Sequence, residues 1–238
     1  MARLALEEKG AAYHRQTVDI METAEQFEPW YTALNPKAVV PTLRIGEEIV
    51  TDTIRIVKRI DRDLDGPPLT PPDPGVTSAM NAMLAGIMGL HYGVLLYSRR
   101  LEADGTAPTI VARGALLRDL RARYPQSADL LDARIAGNAR LQAILAAPSE
   151  TAKYIEAGRV LTVRIGAALG PHDFVCGDAY TLADAFATAA LARFRLHEFA
   201  QWWEEGANDT VAAYYDRMKA RPSFAAADVL DTGSERDF

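Results

Sequence analysis

The sequence predicts an α/β segment over residues 1–64, a linker at 65–76, and an all-α helical bundle over 77–238. Three observations predict it. The stretch DGPPLTPPDPGV (65–76) holds five prolines and two glycines in twelve residues, and proline removes backbone donors and fixes φ, so the stretch reads as neither helix nor central strand. Before it, helical and strand-like patterns alternate; after it, apolar residues recur almost throughout at helical spacing.

The elements follow in order. Met1–Lys9 is rich in helix formers and stops at Gly10, a C-cap residue. Ala12–Ile20 has the composition of a strand. Thr23–Leu34 reads as a helix presenting Phe27, Trp30, Tyr31 and Leu34 on one face. Pro41–Ile45 and Glu48–Thr51 flank a Gly46-Glu47 turn and predict a hairpin. Ile54–Leu64 is amphipathic, with Ile56, Val57, Ile60 and Leu64 inward. In the second part Met80, Met83, Leu84, Ile87, Met88, His91, Val94 and Leu95 predict one side of a long helix. Further helices are predicted near 110–123, 128–147, 153–169, 182–199 and 209–220, which makes a bundle.

Composition narrows the function. The formal charge is −6, with Lys and Arg interleaved among acids, which argues against a nucleic-acid partner that needs a basic face. No run approaches the roughly 18 apolar residues of a membrane span, and the first residues lack the apolar core of a signal peptide. A single Cys176 permits no internal disulfide framework and suits a reducing, cytoplasmic setting.

Two motifs carry chemistry. In Val39-Val40-Pro41-Thr42-Leu43 a proline opens a strand; its X–Pro bond is compatible with cis, which would present the Val40 N–H and C=O to an extended peptide, or with an ordinary trans strand start. In Thr51-Asp52-Thr53, just before a helix, Asp or Thr is a good N-cap. That helix start also offers free N–H groups to a carboxylate, and Asp52 offers its charge to a neighbouring amine, a pair suited to an α-amino acid head group. Pro41 stands eleven residues before Asp52, room for strand, turn, strand and helix start. Both sites then fall at one end of the sheet.

With Asn35-Pro36-Lys37-Ala38-Val39-Val40-Pro41-Thr42-Leu43, Asp52-Thr53, and the distant Thr181-Leu182-Ala183-Asp184 after Phe174-Val175-Cys176-Gly177-Asp178, the chain resembles the glutathione transferases. Over nearly its whole length it is similar to the reductive dehalogenases that act on tetrachlorohydroquinone and to the zeta-class maleylacetoacetate isomerases, through FEPWYTALNPKAVVPTL, the IVAR and RYP stretches, and YYDRMKARPSF. The resemblance implies a thioredoxin-like N-terminal domain with an all-α C-terminal domain, glutathione as co-substrate without a metal, a small hydrophobic electrophile, and a homodimer. It implies that Val40 and Pro41 present backbone to the cysteinyl part of glutathione, and that Asp52 and Thr53 hold the γ-glutamyl group. Lys37 is a further candidate contact, beside its reading as a solvated loop lysine. Family members carry a first strand and an activating Ser, Cys or Tyr before the helix that MARLALEEKG matches, so the resemblance puts both upstream of Met1 and assigns no catalytic residue within the sequence. An enzyme and a non-catalytic binding or scaffold protein both stay open.

Other residues read first as structural. Cys176 is expected to be a small buried hydrophobe. Thr181 and Asp184 fit a capping box. His14, His91, His172 and His197 show no metal-ligand spacing. His91, Tyr92 and Tyr97 are expected either in the core or bordering an electrophile pocket, and Trp202-Trp203 in packing.

Overall fold

The computed structural model describes residues 1–229, so the end of the predicted bundle, residues 230–238, lies outside the described residues. The elements in chain order are α1 (Ala2–Glu8), α2 (Pro29–Leu34), β1 (Thr42–Ile45), β2 (Glu48–Thr51), α3 (Thr53–Asp63), α4 (Pro74–Met88), α5 (Tyr92–Tyr97) and α6 (Pro108–Arg123). They continue with α7 (Ala128–Leu145), α8 (Pro148–Leu169), α9 (Leu182–Leu196), α10 (Asp209–Lys219) and α11 (Pro222–Ala226). Residues 1–89 with the described residues from 160 onward form one compact unit, and residues 90–159 form another.

In the first unit, β1 and β2 form an antiparallel hairpin in which Thr42 pairs with Thr51 and Ile45 with Glu48. Gly46 sits at φ +58° in the turn, a conformation that glycine adopts without a Cβ clash. Helix α3 buries Ile56, Val57 and Ile60, each worth about 1.5–3 kcal/mol when removed from water. Helix α1 packs against α3, α9 and α11, and α9 packs against α4 and α10. The central helix of the unit is α9, buried along nearly its whole length. In the second unit α6 and α5 pack on α7, with Val94, Tyr97, Ala107, Ile110 and Leu145 as a local core.

Two tethers hold α1. The Lys9 ammonium, almost wholly buried, donates to the carbonyls of Asp61 at 3.1 Å and Pro67 at 3.2 Å and lies 3.5 Å from the Asp61 carboxylate. Asp61 in turn accepts from the Leu69 N–H at 2.7 Å. Glu8 accepts two hydrogen bonds from one edge of the Arg221 guanidinium, from Nε at 2.8 Å and Nη2 at 2.6 Å, together with one from the Ser223 hydroxyl. Arg221 also covers the Tyr180 ring at 4.6 Å. The predicted capping box is present: the buried Asp184 carboxylate accepts from Thr181 N–H and hydroxyl, Val175 N–H and Tyr214 hydroxyl, at 2.8–3.0 Å.

Four expectations are corrected. The helix predicted over Thr23–Leu34 is interrupted: a 3₁₀ turn at Glu25–Phe27 is followed by α2, because Pro29 holds Glu28 extended at ψ 147°. This turns Trp30 outward, 42% exposed, while Phe27 and Tyr31 stay buried. The strand predicted over Ala12–Ile20 does not form. Extended residues become strand only by pairing, and among the described residues β1 and β2 pair with each other alone. Its end is instead turned by Asp19, whose carboxylate accepts from the N–H groups of Met21, Glu22 and Thr23. The single long helix through His91 is two helices. The first ends at Met88, which is exposed, with Gly89 as its C-cap; His91, at φ −86° and ψ 77°, caps the second through Nδ1, which accepts from Val94 N–H at 3.3 Å. Finally, Pro74–Val76 belongs to α4, since proline is at home in the first helical turn, where its missing N–H has no partner to lose.

Two predictions follow from these contacts. Gly66 sits at φ +113°, and a Cβ there would lie 2.3 Å from the Lys9 carbonyl oxygen. Gly66→Ala is expected to lower stability by at least about 1–3 kcal/mol, read as a lower denaturant midpoint at unchanged slope; an unaltered midpoint contradicts the close approach. The N–H groups of Thr23, Glu22 and Met21 hold the Asp19 carboxyl down to about 2, from an ordinary 3.8. A depressed carboxyl stabilises the fold above its unfolded value and loses that contribution as pH falls toward its folded one. The stability difference between wild type and Asp19→Asn is therefore constant at neutral pH and closes between about pH 4 and pH 2. A difference that persists undiminished at pH 2 would refute the assignment.

Candidate functional site

The site is built on the open end of the hairpin. Thr42 and Thr51 are paired across the ladder, with Cα atoms about 5 Å apart, so Pro41 and Asp52, one residue beyond each, leave the sheet side by side. The eleven-residue spacing thus brings the two predicted subsites to one edge.

The Val40–Pro41 peptide bond is cis. Val40 is 41% exposed, and no hydrogen bond among the described residues engages its N–H or its C=O. Just before it, the segment is fastened from within. Asn35 is buried; its Oδ1 accepts from Lys37 N–H at 3.1 Å, its carbonyl from Ala38 N–H at 2.9 Å, and its Nδ2 donates to the Val39 carbonyl at 2.7 Å. Tyr31, also buried, donates its hydroxyl to that same carbonyl at 2.7 Å. The Thr42 hydroxyl lies 2.9 Å from the Tyr31 oxygen and 3.2 Å from Asn35 Nδ2. Sequence reasoning missed Tyr31 as a polar group, reading only its apolar face. Asn35, one residue past a helix and before a proline, was the available signal, since Asn suits a helix end and its side chain bonds locally.

Across the hairpin, Asp52 caps α3, its Oδ1 accepting from Arg55 N–H at 3.0 Å. Its backbone stands at φ +78°, ψ 124°, where a non-glycine residue is strained by about 1–3 kcal/mol. The carboxylate is exposed and the N-terminal N–H groups of α3 open beside it, with Thr53 as the first helical residue. Such a terminus attracts an anion, while Asp52 attracts a cation one residue away. Lys37 is exposed on the loop that leads to Val40.

The remaining sequence candidates fall elsewhere. Cys176 is half-buried, not fully buried as expected, in the tight loop closed by the isolated bridge between Phe174 and Gly177. Burial pushes its thiol up, against a hydrogen bond from Thr181 that lowers it, the opposite of an activated nucleophile. Trp203 is buried and Trp202 stacks on Phe199 at a 4.5 Å ring separation, which agrees with packing. In the second unit His91 is exposed at the start of α5, edge-on to Tyr154 at 5.3 Å, and Tyr97 is buried. Among the described residues no cluster of three His, Cys, Asp or Glu side chains is arranged to hold a metal, and no helix is long and apolar enough to cross a membrane.

Residues 1–63 match the family model for the glutathione S-transferase N-terminal domain. The chain is 33% identical to a tetrachloro-p-hydroquinone reductive dehalogenase of Sphingobium chlorophenolicum, over 96% of this chain and 90% of that protein. Among solved structures, a beta-etherase from a Sphingobium strain matches with a TM-score of 0.73 at 19% identity, covering 95% of this chain and 92% of the other. A maleylacetoacetate isomerase of Methylobacterium extorquens, solved with malonate and glutathione bound, matches with a TM-score of 0.59 at 21% identity, covering 97% and 91%. With the family-model match and 33% identity to the dehalogenase over nearly the full length of both chains, the chain belongs to the glutathione S-transferase superfamily, whose fold these structures share.

Proposed function

We propose that the chain binds glutathione at the open end of the hairpin and transfers it to, or uses it to reduce or isomerise, a small hydrophobic electrophile, with aromatic or halogenated compounds the favoured class. The observation that carries this reading is the pairing of an unengaged, exposed Val40 backbone with a carboxylate-capped helix start at the neighbouring position. Glutathione is a peptide with an α-amino acid head, and the two features match those two parts in kind. Val40, just before the cis bond to Pro41, exchanges N–H and C=O bonds with the cysteinyl backbone, as an added strand does. The head-group carboxylate meets the N–H groups of α3 and the Thr53 hydroxyl, while its ammonium meets Asp52. Lys37 is positioned on the same loop for a charged contact with the peptide.

These residues bind and orient; the chemistry belongs to the thiol. As thiolate it attacks an electrophilic carbon, forms a C–S bond and, on a halogenated carbon, releases halide. Identity to a reductive dehalogenase over nearly the whole chain supports the halogenated class. A cytoplasmic setting and a homodimer accompany the reading on family resemblance. A second reading, a non-catalytic glutathione-binding protein, is favoured by the fact that Val40, Pro41, Asp52, Thr53 and Lys37 are all binding groups. The two separate on turnover of tetrachlorohydroquinone with glutathione.

Calorimetric titration with glutathione tests the shared claim. Asp52→Gly removes the carboxylate while accepting the positive φ, at a cap cost of only a few tenths of a kcal/mol. Its stability should not fall below wild type, because relief of the positive-φ strain offsets the lost cap, and its glutathione affinity should fall at least about tenfold, as for a charge-assisted contact. Equal affinities would remove Asp52 from the site, and no binding by either protein would sink the glutathione reading.

A further inference from the structure

We propose that Tyr31 and Asn35 are positioning residues for the peptide-reading segment, orienting the Val39–Val40 peptide so that the Val40 N–H faces the ligand; the inference rests on the glutathione reading above. The argument is one of proton allocation. The Val39 carbonyl accepts two hydrogen bonds of 2.7 Å, from the Tyr31 hydroxyl and from Asn35 Nδ2, which uses both of its lone pairs. With the Tyr31 proton committed to Val39, the 2.9 Å contact to Thr42 is filled by the Thr42 hydroxyl donating to the Tyr31 oxygen. The second Asn35 Nδ2 proton goes to Thr42 Oγ1 at 3.2 Å, and Asn35 Oδ1 accepts from Lys37 N–H. Every polar atom named has a partner, so the cluster admits one arrangement of protons and holds the carbonyl in one direction.

That direction determines the next N–H. Of the bonds around it only Val40–Pro41 is cis, so the Val39–Val40 peptide is trans and planar, with its C=O and N–H antiparallel. A carbonyl pinned inward to Tyr31 and Asn35, both at most 3% exposed, therefore sends the Val40 N–H outward, where no described residue engages it. Tyr31 and Asn35 touch no ligand themselves. They act through a peptide plane, and they stand on α2 and its end, so the site is held by a helix as well as by the hairpin.

The test compares two ligands on the full chain by NMR titration. Glutathione carries both the head group and the cysteinyl backbone; γ-glutamylethylamide keeps the head group and lacks the cysteinyl carbonyl. In Tyr31→Phe one donor to Val39 and the acceptor of Thr42 are lost, and the peptide plane is freed. Glutathione affinity is expected to fall about tenfold, with γ-glutamylethylamide affinity unchanged because Asp52 and Thr53 still hold the head. Should Tyr31→Phe fail the far-UV circular dichroism check for folding, Thr42→Val, which removes one member at the rim of the cluster, carries the test with a smaller selective loss. Equal glutathione affinity in a folded variant, or parallel loss for both ligands, overturns the positioning role and leaves the glutathione reading intact. Wild type binding glutathione but not γ-glutamylethylamide overturns the two-part division on which the inference stands. Wild type binding neither overturns the underlying reading and the inference with it.

Discussion

The site depends on one carbonyl. Val39 C=O spends both lone pairs on buried donors from Tyr31 and Asn35, and a trans peptide cannot point its oxygen inward without pointing the next nitrogen outward. The exposed Val40 backbone is thus the far side of a buried polar cluster. The hairpin register supplies the second half: because Thr42 and Thr51 are partners, any ligand lying along Val40 meets the start of α3 within a residue's reach.

Around this edge, the first unit is held by charges that have been taken out of water and repaid with hydrogen bonds. Lys9 finds carbonyls near the end of α3 and in the linker, and Glu8 finds Arg221 and Ser223. Such pairs are weak evidence for net stability, since desolvation offsets much of their attraction, yet breaking one strands a buried charge at a cost of about 3–5 kcal/mol. Their effect is to make geometry unforgiving. Adjacent residues at the C-terminal end of α1 grip segments far apart in sequence, Asp61–Pro67 and Arg221–Ser223, so the helix against which α3 and α9 pack has little freedom to slide. Asp184 does the same for α9, joining its first turn to the Phe174–Thr181 loop and to α10 through four hydrogen bonds. Burial raises its carboxyl while those donors pull the other way.

Where the sequence failed, it failed for reasons of pairing and of proline. The Ala12–Ile20 segment has strand composition, but a strand is a relation between two segments, and composition reports only one. The Thr23–Leu34 periodicity was real for Phe27 and Tyr31; Pro29 sat inside it and overruled it, since a missing N–H and a restricted preceding residue act regardless of the apolar pattern. His91 occupied a heptad-like position among apolar neighbours while its ring nitrogen served as a cap, a role visible only once α5 has a start.

By itself the sequence determined the hairpin, the amphipathic α3, the capping box at Thr181 and Asp184, and the pairing of a Val-Pro strand start with an acidic helix start, because each rests on local chemistry within about a dozen residues. Tertiary structure alone decided that Tyr31 is a hydrogen-bond donor, that Asn35 serves Val39 and Thr42 as well as its own turn, that Lys9 is buried, and that Glu8 meets Arg221 and Ser223. Those facts concern which groups meet after the chain has folded, and a buried polar atom is defined by the partner that relieves its desolvation. The motif Val-Pro could be read in one line of sequence; the direction in which Val40 presents its N–H could not, since it is set by a carbonyl one residue earlier and by two side chains on the end of another helix.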